Sequence, residues 1–427
     1  MHSTCLRRKA SLKCNTFPRY KPLNWKASNL CQTGCHLCPC WAGMCISPFY
    51  FLFQVPHISL RSTPVSACYD GHMRLHSATD GSIVHEVHAC ADSLTAVAAG
   101  AGVLAAGSSD GGVHVYQSAK SATAAPSHVL SVRTVDAVQS MAVVGSGKNT
   151  IVFAGSWGGM VQGWHMEALT TQAQQGSGGA AAKGARGSKR RAGADSAVAD
   201  GISDISPTVE LIGHKSAISG ITSLTAGGDN LLATGSWDHS VRVWDCVGGG
   251  VELDTYACNK VVSCIAAAPG SAPGAGYLFA TGHPDHLVRL WDSRTAAGQT
   301  GRMSESGRPT ALPAAHTSWV TSMAWHPSRA HMFASGSQDG TVRVWDTRST
   351  KPLFTLHSHA EKEEGEYEPA SAKATKESQA DTRPALTPEG VKILGLAWGP
   401  AGEALWSGGS DAEIHKHLLP GGGSAEA

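Results

Sequence analysis

The side chains that could do chemistry together in this sequence recur in sets instead of forming one cluster. Two segments carry a histidine, then a serine or threonine, an aspartate four residues later and a tryptophan six residues after that. Imidazole, hydroxyl and carboxylate groups are the parts of a hydrolytic triad, and imidazole with carboxylate also binds metal ions. A single active site needs no repetition, whereas a buried polar network that holds a repeated unit does. The two complete sets are His214, Thr234, Asp238 and Trp244, and His316, Ser335, Asp339 and Trp345.

Two further sets are incomplete. One lacks the histidine, because Asn259 stands where it is expected, and the other has His417 in place of the tryptophan. Their remaining members are Thr281, Asp285 and Trp291 in the first, and His359, Ser407 and Asp411 in the second. We predict that all four sets are structural, that the chain is not an enzyme, and that it has no metal site and no cofactor. The glycines do not form a phosphate-binding motif either.

The segments between these residues repeat as well. LLATGSWDHSVRVWD (231–245), LFATGHPDHLVRLWD (278–292) and MFASGSQDGTVRVWD (332–346) each join a strand of small residues to an alternating apolar strand through a polar turn. Weaker copies place the same turn at Asp70, Asp110, Gly158 and Asp411. Units of about 40 to 50 residues with four short strands each are typical of propellers. The sequence therefore predicts an all-β, seven-bladed WD40 β-propeller.

Composition agrees with this class. The 427 residues include 49 glycines, only 16% are charged, and the net charge is +1. Many glycines indicate many turns between short strands. The near-neutral balance does not call for nucleic acid or a membrane as a partner of the whole chain.

Domain boundaries follow from departures from the repeat. We assign residues 63–420 to the propeller, with disordered inserts near 168–207 and 361–390, and residues 421–427 to a flexible tail. The run KGARGSKRR in the first insert could be a nuclear-import signal or an RNA contact, or merely a solvated basic loop. Its basic residues are Lys183, Arg186, Lys189, Arg190 and Arg191.

Residues 1–62 do not fit the repeat. They contain five closely spaced cysteines between Cys31 and Cys45, but the spacing lacks the paired C-x2-C knuckles of a zinc site. A basic start followed by an apolar run suggests a targeting segment or membrane anchor, although prolines interrupt the run and make a spanning helix a poor fit. The other interpretation, which we favour, is an error in the gene prediction. The strand-like FYFLFQV (49–55) is expected to complete the last blade, which leaves the first blade incomplete.

From Gly213 onward the sequence resembles one family closely. GHKSAISGI (213–221), NKVVSCIA (259–266), HTSWVTSMAWHPS (316–328) and WDTRSTKPLFTL (345–356) are similar to the WD-repeat subunit of the pescadillo complex. The Asn-Lys-Val opening at Asn259 is the most specific element. The resemblance covers roughly residues 64–420, and it is weak between 80 and 165.

This resemblance implies a non-enzymatic scaffold in biogenesis of the large ribosomal subunit, acting in rRNA-precursor processing in the nucleolus and nucleoplasm. The implied partners are pescadillo-like and block-of-proliferation-like proteins and the pre-ribosomal particle, with no membrane contact. The family also carries an N-terminal ubiquitin-like domain that binds the AAA ATPase midasin. Nothing before residue 64 resembles that domain, which puts a midasin contact in doubt. The alternative is a generic WD-repeat adaptor, such as a ubiquitin-ligase substrate receptor or a trafficking subunit.

Propellers bind partners through the loops at their ends, where aromatic side chains serve as anchors. Trp237, His239, Trp319 and Gln338 lie in or beside such loops. We predict that they form a partner surface. For Trp319, packing inside the fold is at least as good an interpretation.

Overall fold

Seven antiparallel sheets follow one another along the chain in a computed structural model. The chain divides into two compact units, Met1–Ile46 and Ser47–Ala427, and every described residue belongs to the second. Within the described part, no helix is both long and apolar enough to cross a membrane. The structure describes residues 52–53, 64–118, 125–176, 202–203, 205–225, 231–246, 249–270, 275–293, 310–312, 316–357, 391–399, 402–411 and 413–419.

The first three sheets, blades 1 to 3, contain the weaker copies of the repeat. Blade 1 consists of β1 (Leu52–Phe53), β2 (Val65–Ala67), β3 (His72–His76) and β4 (Ile83–His88). Blade 2 consists of β5 (Leu94–Gly100), β6 (Val103–Ser108), β7 (Gly112–Gln117) and β8 (Ser127–Arg133), with β12 (Ile202–Ser203) as a fifth, parallel strand. Blade 3 consists of β9 (Val138–Val144), β10 (Ile151–Ser156), β11 (Met160–His165) and β13 (Val209–Ile212).

The other four sheets, blades 4 to 7, contain the strong copies and the last one. Blade 4 consists of β14 (Ile218–Leu224), β15 (Leu231–Ser236), β16 (Ser240–Asp245) and β17 (Val251–Ala257). Blade 5 consists of β18 (Cys264–Ala267), β19 (Leu278–Gly282), β20 (Val288–Asp292) and β21 (Thr310–Leu312). Blade 6 consists of β22 (Val320–Trp325), β23 (Met332–Ser337), β24 (Thr341–Asp346) and β25 (Phe354–His357), and blade 7 of β26 (Ile393–Trp398), β27 (Ala404–Gly409) and β28 (Ile414–Leu418).

The seven sheets close into a ring. The first strand of each sheet lies beside the first strand of the next, from β1 through β5, β9, β14, β18, β22 and β26 and back to β1. These strands therefore form the inner wall. Each of the seven turns found from the sequence lies between the second and third strand of its blade. The prediction of a seven-bladed propeller is confirmed.

Neighbouring blades approach so closely that the second strand has room only for glycine at the contact. A Cβ on Gly235 of blade 4 would lie 2.6 Å from Val262 Cγ1, and one on Gly282 of blade 5 would lie 2.6 Å from Val320 Cγ1. The same contact, a glycine three residues before the turn centre against a valine or isoleucine of the next blade, recurs at Gly107, Gly155 and Gly336. The small-residue strands of the repeat are thus explained by inter-blade packing.

The hydrophobic core is correspondingly divided into seven clusters, each between two adjacent blades. The cluster that closes the ring is small: Cys68 of blade 1 packs with Ala397 and Trp406 of blade 7. The amine of Lys416 adds hydrogen bonds to the carbonyl oxygens of residues 78 and 79, at 3.2 and 2.7 Å, and lies over the Trp406 ring. Side-chain packing and this lysine join the two ends of the ring.

The expectation for ring closure was wrong in its detail. Strand β1, which lies inside the FYFLFQV segment, pairs with β2 of blade 1 and not with the last blade. Blade 1 therefore has four strands, whereas blade 7 has three among the described residues. A first strand must join the inner wall, and the position directly before β2 along the chain is the one that β1 can reach with a short connection.

The predicted insert near 168–207 overlaps regular structure. Helix α1 (Met166–Gly176) continues directly from β11, and its Met166 and Leu169 are buried in the cluster between blades 2 and 3. The chain then returns as β12 on the outer edge of blade 2. Disorder was therefore the wrong prediction for 168–176. Two apolar residues at helical spacing, Met166 and Leu169, pack against the core between blades 2 and 3. Residues 177–201, 361–390 and 421–427 lie outside the described residues.

The inter-blade glycines provide a stability test. We expect Gly235→Ala to destabilise the chain by about 1 to 3 kcal/mol, because the added methyl group overlaps a stiff, β-branched valine. Gly399→Ala is the matched control, since its Cβ would meet its nearest neighbour at an ordinary 3.4 Å. Urea unfolding of both variants measures the difference. Equal stability of the two would contradict the packing explanation.

Candidate partner-binding face

The histidine of blade 4 connects the loop before the blade to the turn inside it. His214 Nδ1 lies 2.9 Å from Asp238 Oδ2, and its Nε2 lies 2.8 Å from Thr234 Oγ1. The indole N–H of Trp244 donates to the same hydroxyl oxygen at 2.9 Å. A neutral imidazole satisfies every group in this buried chain of hydrogen bonds, since Nδ1–H donates to the carboxylate and Nε2 accepts from the hydroxyl. The structure thus brings all four predicted residues together.

Blade 6 repeats the arrangement with serine in place of threonine. His316 Nδ1 lies 3.2 Å from Asp339 Oδ2, and Nε2 lies 2.8 Å from Ser335 Oγ. The indole N–H of Trp345 donates to Ser335 Oγ at 2.8 Å. Burial lowers the pKa of His316, and its hydrogen bond to Asp339 offsets only part of that effect. The imidazole therefore stays neutral at pH 7, as the network requires.

The two aspartates are held ionised. Burial alone would raise the pKa of Asp238, but hydrogen bonds from His214, Ser240 and the amide of Lys215 outweigh it and hold the pKa well below its usual range. Hydrogen bonds from His316, Thr341 and the amide of Thr317 lower the pKa of Asp339 in the same way. Each carboxylate is fully occupied by donors of its own blade and its preceding loop. Neither is available as a general base or a metal ligand.

Blade 5 builds its network differently from the prediction. Thr281 and Trp291 are joined at 2.8 Å as expected, but Asp285 takes no part and pairs with Arg289. The missing imidazole comes from His283, whose Nε2 lies 2.8 Å from Thr281 Oγ1 and whose Nδ1 lies 2.9 Å from the carbonyl oxygen of residue 261. Its position two residues after the threonine, inside the turn, was the overlooked signal.

Blades 1 and 7 use a histidine where blades 3 to 6 have tryptophan. His417 Nε2 lies 2.8 Å from Ser407 Oγ, and His76 Nε2 lies 2.8 Å from Ser66 Oγ. Asp411 of blade 7 does not join Ser407 but lies 2.7 Å from His415. The predicted His359 lies outside the described residues.

The networks leave few accessible side chains that could act in catalysis or bind a metal ion. The threonine and serine hydroxyls of blades 4, 5 and 6 are completely buried. Two surface groups place three ligand atoms within 4.8 Å of one another: Asp70, His72 and Glu86, and Asp411, Glu413 and His415. In the first, Arg74 already pairs with both carboxylates, at 2.5 and 2.6 Å. Ion pairing therefore occupies both carboxylates of the first group, and in the second Asp411 lies 2.7 Å from His415.

The turns and the inter-blade loops lie at one end of the propeller. In a four-stranded meander, the turn between the second and third strands and the connection to the next blade fall at the same end of the sheet. We call this end the loop face. Its described parts are the turns 68–71, 109–111, 157–159, 237–239, 283–287, 338–340 and 410–411 and the loops 89–93, 134–137, 213–217, 258–263, 316–319 and 391–392.

All four residues of the predicted partner surface are on the loop face. Trp319 is exposed in the loop before blade 6, and its carbonyl accepts a hydrogen bond from the Gln338 amide at 3.0 Å. Trp237 and Gln338 occupy the same position, directly before the turn aspartate, in blades 4 and 6, and both are half-buried. His239 is exposed and has a φ of 68°, a conformation that four other blades assign to glycine at this position.

Sequence reasoning missed Trp157, which occupies the position of Trp237 in the neighbouring blade 3. The two rings pack edge to face with centroids 5.2 Å apart, and Trp157 remains 47% exposed. The turn at Gly158 was recognised without its aspartate, so the residue before it could have been found by the same offset. The loop face therefore carries a tryptophan pair, Trp157–Trp237, at the boundary of blades 3 and 4.

Charges on the loop face differ on the two sides of this pair. Asp92 and Asp136 are exposed in the loops that lead into blades 2 and 3, and Lys215 and Lys260 are exposed in the loops that lead into blades 4 and 5. None of the four forms an ion pair with another described residue. These four unpaired charges are thus acidic on one side of the tryptophan pair and basic on the other.

A family model described as "WD domain, G-beta repeat" matches residues 205–245 and 307–346. These stretches contain the two complete networks, and the seven-bladed ring surrounds them. The chain contains WD40 repeats. The matched segments run from the outer strand of one blade to the third strand of the next, so each unit of sequence links two blades of the WD40 ring.

Curated relatives are similar over part of their length. The ribosome biogenesis protein WDR12 homolog of Chlamydomonas reinhardtii is 36% identical over 155 residues, which cover 36% of this chain and 31% of the relative. Those of Culex quinquefasciatus and Oryza sativa subsp. japonica are both 28% identical, over 52% and 53% of this WD40 chain and 45% and 46% of the relatives. The chain therefore matches less than half of the length of these relatives.

The shared hydroxyl of blade 4 provides a test of the network. We expect Thr234→Val to cost about 2 kcal/mol, because it leaves the buried groups of His214 and Trp244 without their partner. Thr222→Val, on the half-buried inner strand of the same blade, is the matched control. Urea unfolding of the singles and of Thr234→Val with Trp244→Phe completes a double-mutant cycle. Strict additivity in that cycle would argue against a connected network.

Two buried histidines predict a loss of stability in mild acid. Burial and the nearby Arg289 lower the pKa of His283 from 6.5 to about 4, and burial and His415 lower that of His417 to about 4. Because the unfolded chain takes up protons first, the stabilisation is complete above pH 6.5 and is lost as the pH falls through 4. The loss amounts to about 3 kcal/mol for the fully buried His283.

Denaturant unfolding from pH 7 to pH 4 measures this loss. In His283→Gln the decline between pH 6.5 and pH 4 should be shallower than in the wild type. A variant that declines as steeply as the wild type would refute the assignment to His283.

Proposed function

We propose that this WD40 chain is a non-enzymatic scaffold in biogenesis of the large ribosomal subunit, and that it supports maturation of the rRNA precursor within a pescadillo-type complex. The observation that carries the proposal is the similarity to relatives named ribosome biogenesis protein over residues that form the propeller. The buried and mutually satisfied polar sets favour a structural role over a catalytic one.

The loop face supplies the means of binding. It is rigidly connected to the blades, because the networks of blades 4 and 6 fix each turn to the loop before it. Exposed aromatic rings supply apolar area at low entropic cost, and charges around them supply orientation. We propose Trp237, His239, Trp319 and Gln338 as part of the surface that meets a pescadillo-like or block-of-proliferation-like protein within the pre-ribosomal particle.

Location follows from the same proposal. A factor that acts on the rRNA precursor works in the nucleolus and nucleoplasm, so the chain must enter the nucleus. The basic residues Lys183, Arg186, Lys189, Arg190 and Arg191 are proposed as the import signal, and they lie outside the described residues.

Affinity purification of the tagged full chain, followed by mass spectrometry, tests the function. We expect enrichment of pescadillo-like and block-of-proliferation-like proteins and of large-subunit precursor particles. Combined alanine substitution of Trp237, His239, Trp319 and Gln338 should reduce that recovery at least tenfold. The control variant is Leu253→Ala, because Leu253 is 54% exposed on the outer strand of blade 4 but is not part of the loop face. Recovery of ubiquitin-ligase or coat subunits without pre-ribosomal proteins would overturn the proposal.

A further inference from the structure

Blade 3 differs from the other six blades at the centre of its turn. The other turns each contain an aspartate, which in blades 4 and 6 is bound by histidine and in blade 5 by arginine. In blade 3 the turn residue is Gly158, and a carboxylate reaches it from the preceding loop instead. A Cβ on Gly158 would lie 3.1 Å from Asp136 Oδ2.

This carboxylate is not consumed by the fold. Asp136 is exposed, its Oδ1 accepts the amide of residue 137 at 2.9 Å, and Oδ2 has no hydrogen bond from another described residue. The turn aspartates of blades 4 and 6, by contrast, are only 9% and 8% exposed and are occupied by several donors. Blade 3 therefore presents at the surface a charge of the kind that blades 4 and 6 bury.

The turn that the Asp136 carboxylate reaches also carries an exposed aromatic ring. Trp157 directly precedes Gly158, and its amide donates to the carbonyl oxygen of residue 137, at 2.9 Å, in the same loop as Asp136. The edge of one indole against the face of the other holds the Trp157–Trp237 pair in place, so the exposed ring surface is preorganised. A backbone hydrogen bond thus joins the turn that carries the ring to the loop that carries the carboxylate.

We propose that Asp136 and the Trp157–Trp237 pair form a binding site for an arginine side chain of a protein partner. A guanidinium group is planar and weakly hydrated, so it can stack on an indole face and pair with a carboxylate at the same time. The exposed Lys215 disfavours extension of a basic partner segment over blade 4. The site rests on the proposed scaffold function and specifies the chemistry of one contact.

The chain offers matched controls for both groups. Asp92 occupies the equivalent place one blade earlier, where its Oδ1 accepts the Ser93 amide at 2.8 Å, but the adjacent turn has Ser109 and not tryptophan. Leu253 is an exposed apolar residue, 54%, on the outer strand of blade 4 and outside the loop face. Asp92→Asn and Leu253→Ala therefore remove an exposed carboxylate and an exposed apolar side chain without touching the proposed site.

The test is a fluorescence titration of the full chain with the capped peptide Ac-Gly-Arg-Leu-Arg-Gly-NH2, compared with the peptide in which citrulline replaces both arginines. We expect saturable quenching by the arginine peptide and about tenfold weaker binding of the citrulline peptide. Trp157→Ala and Asp136→Asn should each weaken arginine-peptide binding by roughly five- to tenfold, while Asp92→Asn and Leu253→Ala leave it unchanged. Unchanged far-ultraviolet circular dichroism and melting temperature establish that the variants are folded.

Equal binding of the two peptides, or equal losses in the site and control variants, would overturn the arginine site. The outcome is separate from that of the proposed function. Pre-ribosomal proteins recovered undiminished with Trp157→Ala would reject the site and leave the function standing. Specific arginine-peptide binding without pre-ribosomal proteins in the purification would do the reverse.

Discussion

The whole ring depends on how closely one blade can approach the next. At five successive interfaces a glycine on the second strand meets a valine or isoleucine that begins the next blade, at a distance that leaves no room for a Cβ atom. Because each interface has its own hydrophobic cluster, a shift at one of them would be passed on around the ring. The close approach brings the inner strands together, and the position of every turn and loop at the loop face follows from it.

Hydrogen bonds then fix the turns, loops and strands that the packing has brought together. In blades 4 and 6, histidine ties the incoming loop to the turn, and threonine or serine links the histidine to the third-strand tryptophan. Blades 1, 5 and 7 reach a similar result with other residues: His283 replaces the loop histidine, and His76 and His417 replace the tryptophan. What these blades share is the satisfaction of buried donors and acceptors, since an unpaired group in that position would cost more than the pair contributes.

We infer that partner binding uses the surface groups that the hydrogen-bond networks do not occupy. Where a blade has its own turn aspartate and a partner for it, the charge is neutralised inside the blade. Blade 3 has neither the aspartate nor the histidine, and its turn therefore combines an exposed tryptophan with a free carboxylate from the loop. A weak copy of the repeat is thus the place where the surface gains binding groups.

The sequence determined the fold and most of the structural residues. Fixed offsets between threonine or serine, aspartate and tryptophan located all seven turns, because those offsets follow from strand length and from a hydrogen bond within one hairpin. The tertiary structure decided what depends on distant segments. In the folded chain β1 belongs to the first blade, and His283 supplies the imidazole that was expected at the position of Asn259. Asp285 and Asp411 pair outside the networks predicted for them, and Trp157 packs against Trp237. Contacts between blades join residues 80 positions apart in the Trp157–Trp237 pair and 338 positions apart between Lys416 and residue 78, and local spacing carries no information about which side chains the ring will bring together.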